Sequence, residues 1–346
     1  MQNGTVTTTT GAQSQNCSVS YEESKAFLIV VYSTVCALGF PANCLTLFLT
    51  WKQVKQNNVL AVYLFFLSVC ELLYISTLPF WIRYITQNHM WDLGEFSCQM
   101  IAFLFFCNIY ISILLLCCIS IDRFRAVVFA LESRGLRQQW TAVLLSVLVF
   151  VSVGLVHAPV FQIASQNHTC FEALPVDSQT AKYYYTRFVV GFVVPFAIIV
   201  YTNYRIFRSI KKSVSLKPRQ KTKVKYLAIA IIVIFLICFA PYHVVILVRA
   251  LHFSRFSGDM CDFEKRVYTS SVVFLCLSTV NSVADPIIYV FVSENCRNDL
   301  SRIFRGWNTS SAIQANREST GILSKELQEF QESPRSEIAT CLPPQS

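Results

Sequence analysis

Seven stretches of the chain run for more than 20 residues with almost no charge: residues 27–51, 59–82, 99–121, 140–163, 183–204, 226–248 and 267–292. Crossing a hydrocarbon core takes about 20 apolar residues in helical conformation. The pattern therefore predicts seven transmembrane helices joined by short polar loops. A barrel would instead show short segments of alternating polarity. Ionisable residues interrupt the apolar runs at few places: Glu71 in the second, Arg187 near the start of the fifth and Asp285 in the seventh.

Composition agrees that lipid is the solvent. Apolar residues make up 54% of the 346 and charged residues 14%, where a soluble domain carries about a quarter charged. A water-exposed surface cannot be assembled from so few charges, which argues against a soluble enzyme, a disordered chain or a nucleic-acid module. The net charge of +9 reflects position. Lys52 and Lys55, then Arg123, Arg125, Arg134 and Arg137, then the run from Arg205 to Lys225 occupy alternate connections. By the positive-inside rule those loops and the C-terminal tail are cytoplasmic and the N-terminus is extracellular. Three sequons, at Asn3, Asn16 and Asn167, fall on the outside, where glycosylation occurs. No basic-then-apolar leader opens the chain, so the first span is expected to act as signal anchor.

The expected organisation is an extracellular glycosylated segment at 1–24, the seven-helix domain at 25–292, and an amphipathic helix on the inner leaflet at 293–307. A disordered, phosphorylatable tail follows at 308–346. Of 14 cysteines, four map outside and allow three pairings. The preferred bridge is Cys98 with Cys170, which leaves Cys17 with Cys261.

Ionisable groups inside a span cost about 2.5 kcal/mol or more and are functional candidates by default. Glu71 and Asp285, with Asn108, Ser112 and Asn281 at comparable depth, compose a candidate switch. Burial and like-charge repulsion disfavour two bare carboxylates, so the pair would hold a proton or a sodium ion; the bland alternative is a hydrogen-bonded hub that fixes packing. Prolines at 79, 159, 195, 241 and 286 predict kinks within spans.

Several motifs carry a family resemblance. Asp122-Arg123-Phe124 ends the third segment, Cys238-Phe239-Ala240-Pro241 lies in the sixth, and Asn281-Ser282-Val283-Ala284-Asp285-Pro286-Ile287-Ile288-Tyr289 closes the seventh. With Gly39-Phe40-Pro41-Ala42-Asn43 and the Cys98/Cys170 pair, residues 25–305 resemble a rhodopsin-like G-protein-coupled receptor. The sixth- and seventh-segment motifs are similar to the proton-sensing and lysolipid-responsive subgroup, and Ala130 to Gly135 to one member of it. The resemblance implies that Asp122 holds Arg123 at rest and that Arg123, Leu131 and Tyr289 meet a heterotrimeric G protein. Phe239, Pro241 and Pro286 would carry the activating movement, and the tail would recruit receptor kinases and arrestin. The chain departs from the family pattern at Glu71, usually Asp; Phe124, usually Tyr; Phe150, usually Trp; and Asn203, usually Tyr.

The outer third offers Arg83, Arg187, Arg249 and Arg266 beside Tyr110, Phe161, Tyr242, His243 and Phe274. Arginine forks next to aromatic walls suit a carboxylate or phosphate head with an apolar tail. Together with the subgroup resemblance, this points to an anionic lipid: an oxidised fatty acid, an acyl amino acid or a lysophospholipid. Protons rank second, through His89, His157, His168, His243 and His252, because Val153 stands where a stronger proton sensor would carry an acid. Motifs for a membrane enzyme, a metal site or a cofactor are absent from the sequence. An ion channel or carrier built on Glu71 and Asp285 is the alternative of another class.

Overall fold

The computed structural model describes residues 20–130, 138–162, 169–170, 176–213, 217–256 and 260–292, with 162 and 289–292 as backbone alone. Among them seven helices are long and apolar enough to cross a membrane: α1 Glu22–Val54, α2 Val59–Thr86, α3 Glu95–Val128, α4 Gln139–Phe161, α5 Ser178–Lys212, α6 Pro218–Arg255 and α7 Met260–Ile288. No strand occurs among the described residues, so the expected all-α seven-helix bundle is what forms. The amphipathic helix at 293–307, the tail, Cys17, Leu131 and the sequons at Asn3, Asn16 and Asn167 lie outside the described residues.

Helix ends overrun the apolar windows because polar contacts hold them there. Asn58 opens α2 by accepting from the Leu60 N–H at 3.1 Å, and Asp177 opens α5 by accepting from the Thr180 N–H at 2.8 Å. Such caps satisfy orphan donors of the first turn, and this one holds the Asp177 carboxyl below its ordinary range. The first turns of α1 are tied down by Lys25 Nζ donating to Asn88 (2.8 Å) and Thr269 Oγ1 donating to Glu23 (3.0 Å). α1 thereby closes against α7.

The prolines shape the interior. Three π-helical turns, Val35–Gly39, Val189–Val193 and Phe235–Phe239, end two residues before Pro41, Pro195 and Pro241. A proline lacks an N–H and its ring collides with the carbonyl four residues earlier. In each case that carbonyl (Ala37, Gly191 or Ile237) lies inside the π turn, where the wider winding moves it aside. Pro79 follows a break in α2 at Ser76 and Thr77, Pro159 sits in a terminal 3₁₀ turn of α4, and Pro286 lies within the last stretch of α7. Four of the five prolines expected to kink a span thus mark a departure from regular winding, whereas Pro286 lies inside the unbroken α-helical stretch Asn281–Val292, against the expectation.

α3 runs through the centre, meeting α2, α4, α5 and α6. At one end of the bundle Cys98 and Cys170 form the preferred disulfide. Tyr84, Trp91 and Ile101 pack around it, and Tyr84 Oη accepts from the Cys170 N–H at 3.1 Å. Cys261 is also disulfide-bonded. Breaking the first bridge by Cys98→Ser is expected to cost about 2–5 kcal/mol. The checking measurement is thermal unfolding in detergent, where Cys44→Ser, at an exposed free thiol, leaves the midpoint unchanged.

Candidate functional site

Arg187 sits two residues before the π turn of α5 and is only 9% exposed. Its Nη1 donates to Tyr242 Oη at 3.2 Å and its Nη2 to Tyr183 Oη at 3.1 Å. The guanidinium lies 4.2 Å from the Tyr183 ring centre, 4.4 Å from that of Phe106 and 5.6 Å from that of Tyr110. Aromatic faces attract a desolvated cation by about 2 kcal/mol, which offsets part of the several kcal/mol that burying it costs. Its Nε has no partner.

The other three arginines singled out in the sequence are paired. Arg249 Nη2 lies 2.8 Å from Glu264 Oε2, and its Nη1 donates to Tyr184 Oη. Arg83 is half-exposed and meets Asp92 at 2.5 Å, which holds the Asp92 carboxyl below its ordinary range. Arg266 bonds to Asp262. Among the described residues, Arg187 forms no ion pair with a carboxylate, which sets it apart from the other three.

Tyr110 is the hub beneath it. Its ring stacks on His157 of α4 at 5.1 Å and meets His243 of α6 edge-on at 5.8 Å. On the α5 side it faces Gly191, where an added Cβ would lie 2.5 Å from Tyr110 Cε1. The glycine is required by this approach. From His243 a stack descends through Phe192 (4.9 Å) and Phe235 (5.2 Å) to Phe239 (5.8 Å). The arginine cage is thus in ring contact with the π turn that precedes Pro241. Phe161 packs on Phe96 and Phe103 instead of joining the cage, and Phe274 is half-buried on α7.

Deeper in the bundle, Glu71 is fully buried and collects four side-chain donors. Ser112 reaches its Oε1 at 2.7 Å and Asn281 at 2.9 Å; Asn108 reaches Oε2 at 3.3 Å, and Ser282 also donates to Oε2. Asp285, 3% exposed, lies within electrostatic reach of Glu71. Neither of its oxygens has a hydrogen-bond partner. All five residues of the candidate switch therefore come together, with the donors gathered on one acid.

At the opposite end from the disulfide, Arg123 Nη2 lies 2.5 Å from Asp122 Oδ2 and its Nε donates to the same oxygen at 3.0 Å. Phe124 packs on Phe129 and Tyr201. Asn203, buried, leaves its amide nitrogen without a partner. The backbone of Tyr289 lies in the helical stretch Asn281–Val292 that continues α7.

Sequence reasoning passed over Phe106, Tyr183, Gly191, Phe192 and Ser282. Helical spacing carries a signal for two of them, because Phe106 and Tyr183 stand four residues before Tyr110 and Arg187 on the same helix faces. Ser282 adjoins Asn281 in the seventh-segment motif.

The chain matches the family described as 7 transmembrane receptor (rhodopsin family) over residues 42–289. It is 58% identical to Probable G-protein coupled receptor 132 of Homo sapiens over 315 residues, covering 88% of this chain and 83% of that protein. It is 38% identical to G-protein coupled receptor 68 of Homo sapiens over 296 residues, covering 84% and 80%. Lysophosphatidic acid receptor 6 of Gallus gallus is 32% identical over 295 residues, covering 81% and 94%.

Gly191 yields a test of the hub. Glycine to alanine in an exposed helix stabilises by about 1 kcal/mol, but overpacking here costs about 1–3 kcal/mol. Gly191→Ala is expected to lower the thermal midpoint, and to lower it much less when combined with Tyr110→Ala, which removes the ring it would strike.

Proposed function

The chain belongs to the rhodopsin family of seven-transmembrane receptors, and on that premise we propose that it is a plasma-membrane receptor activated by an anionic lipid. In this reading the N-terminus and the disulfide end are extracellular. The lipid is an oxidised fatty acid, an acyl amino acid or a lysophospholipid. Its head displaces the two phenols from Arg187, and its tail lies along the aromatic wall of Phe106 and Tyr110.

The observation that carries this reading is the buried Arg187 charge without a carboxylate. A cation held by phenol oxygens and ring faces alone gains most from a ligand that supplies the missing negative charge. Arg83 and Arg249 have carboxylates already, which limits their part to the walls of the vestibule. Among the relatives, the lysophosphatidic acid receptor carries a phosphate-headed lipid in its name, which agrees with the chemistry.

Transmission follows the ring stack. A head drawn onto Arg187 shifts Tyr110, and through His243, Phe192 and Phe235 biases Phe239 and the Pro241 kink of α6. The cytoplasmic end then opens for a heterotrimeric G protein, with Arg123 leaving Asp122 and Leu131 and Tyr289 completing the contact. Glu71 and Asp285 hold a proton or a sodium ion in the resting state, since Asp285 has no protein donor and Glu71 has four. Receptor kinases and arrestin act on the tail. Extracellular protons are the second reading, favoured by His89, which is buried between the rings of Tyr21 (3.8 Å) and Tyr84 (4.8 Å).

The test is nucleotide exchange on added G protein by the receptor in lipid discs, with anionic and neutral lipids, from about pH 6 to 8 where histidine titrates. Anionic lipids are expected to drive exchange at fixed pH. Arg187→Ala should weaken their potency by about 30-fold or more, because truncating one partner of a buried charge pair costs about 2 kcal/mol or more. The variant should fold, since it removes an uncompensated buried charge, and an unchanged or raised thermal midpoint checks that. Exchange that follows pH alone and ignores Arg187→Ala overturns the lipid reading in favour of protons.

A further inference from the structure

At the end of α1 away from the disulfide, two lysines stand over aromatic rings on the outer surface of the bundle. Lys52 Nζ lies 4.2 Å from the centre of the Phe48 ring, and Lys55 Nζ lies 5.2 Å from that of Trp51. Both rings are about half exposed, Phe48 at 52% and Trp51 at 48%. The spacing of residues 48, 51, 52 and 55 puts all four on one helix face. Among the described residues neither ammonium forms an ion pair with a carboxylate.

From Trp51 the rings continue across two further helices. Trp51 meets Phe65 of α2 at 5.7 Å, Phe65 meets Phe66 at 5.9 Å, and Phe66 meets Phe150 of α4 at 5.8 Å. Phe65, Phe66 and Phe150 are each half-buried. Phe150 stands eleven residues beyond Gln139, the first residue of α4, which is about 16 Å into the span. Gln139 Nε2 donates to the Val54 carbonyl at 2.8 Å, joining the start of α4 to the end of α1. The result is an apolar strip that runs into the membrane with two cations at its outer edge.

A lysine at the end of a span ordinarily snorkels, extending its ammonium to water. Here each ammonium turns back over the ring of the residue four earlier, in the direction a helix tilts its side chains. At this end of α1 that direction leads into the membrane. A cation kept against ring faces at the edge of the hydrocarbon gains from an anion that reaches the same depth, as the phosphate region of a bilayer lipid does. By the positive-inside rule this is the cytoplasmic leaflet, where anionic lipids gather. We propose that this face of α1, α2 and α4 is a binding site for an anionic phospholipid of the inner leaflet, its head at Lys52 and Lys55 and one acyl chain along the rings from Trp51 to Phe150. The site is separate from the Arg187 cage and does not depend on what that cage binds.

The test uses bromine, which quenches the fluorescence of a tryptophan it touches. The full-length receptor is placed in phosphatidylcholine discs that hold a minor fraction of either phosphatidylserine or phosphatidylcholine with brominated chains. Emission from Trp51 is taken as the difference between each background with and without Trp51→Phe. The brominated serine lipid is expected to occupy the neighbourhood of Trp51 with about tenfold or greater preference over the choline lipid, since each basic side chain at an anionic surface contributes about fivefold. Lys52→Gln combined with Lys55→Gln should abolish that preference. Lys211→Gln combined with Lys212→Gln, the same loss of charge at exposed positions of α5, should leave it unchanged, with thermal unfolding checking that both variants fold. Equal quenching by the two lipids in the wild type overturns the proposal. So does an equal fall in both lysine variants, the signature of a diffuse basic field, and so does a preference that survives the loss of Lys52 and Lys55.

Discussion

Lipid offers a peptide group no hydrogen bond, so every N–H and C=O within the span has to be satisfied by the protein itself. That constraint makes the seven apolar stretches helices and decides how they bend. A proline inside a span removes one donor and pushes one carbonyl aside. Around Pro41, Pro195 and Pro241 the helix answers by widening into a π turn. Two of those turns border the arginine cage: Gly191 of α5 lies within one, and Phe239 of α6 ends another. The irregularities required by backbone bonding thus lie beside the side chains of the cage.

The same low-dielectric solvent sorts the charges. Glu71 is accommodated by four neutral donors, Arg249 by Glu264, and Arg123 by its chain neighbour Asp122. Arg187 receives two phenol oxygens and three ring faces, which hold the cation in place without neutralising it. The rings that surround it continue as a stack toward α6.

Much of this was legible in the sequence. The seven spans follow from apolar length, and the switch residues follow from the expense of Glu71 and Asp285 in lipid. The expected bridge between Cys98 and Cys170 forms. What the residues could not disclose was pairing. Arg83, Arg187, Arg249 and Arg266 look alike as letters; Arg266 has Asp262 one turn before it on its own helix, but only tertiary placement gives Arg83 and Arg249 a carboxylate. Asp92 reaches Arg83 across a loop, and Glu264 reaches Arg249 from another helix; neither is fixed by spacing. Gly191 was missed for a related reason. A glycine in a helix reads as a weakness until the ring that fills its place is known. Helix ends were misjudged because α1 continues past its apolar window through contacts with Asn88 and Thr269, residues distant in sequence.

The meeting of Gly191 and Tyr110 has a mechanical side. Helices usually interlock, with side chains of one seated between those of the next, and sliding them means lifting each knob out of its hole. Here the edge of the Tyr110 ring occupies the notch that a side chain at 191 would fill. Such a joint behaves as a socket: α5 cannot slide past α3 at the depth of the cage without lifting the Tyr110 ring out of the notch at Gly191.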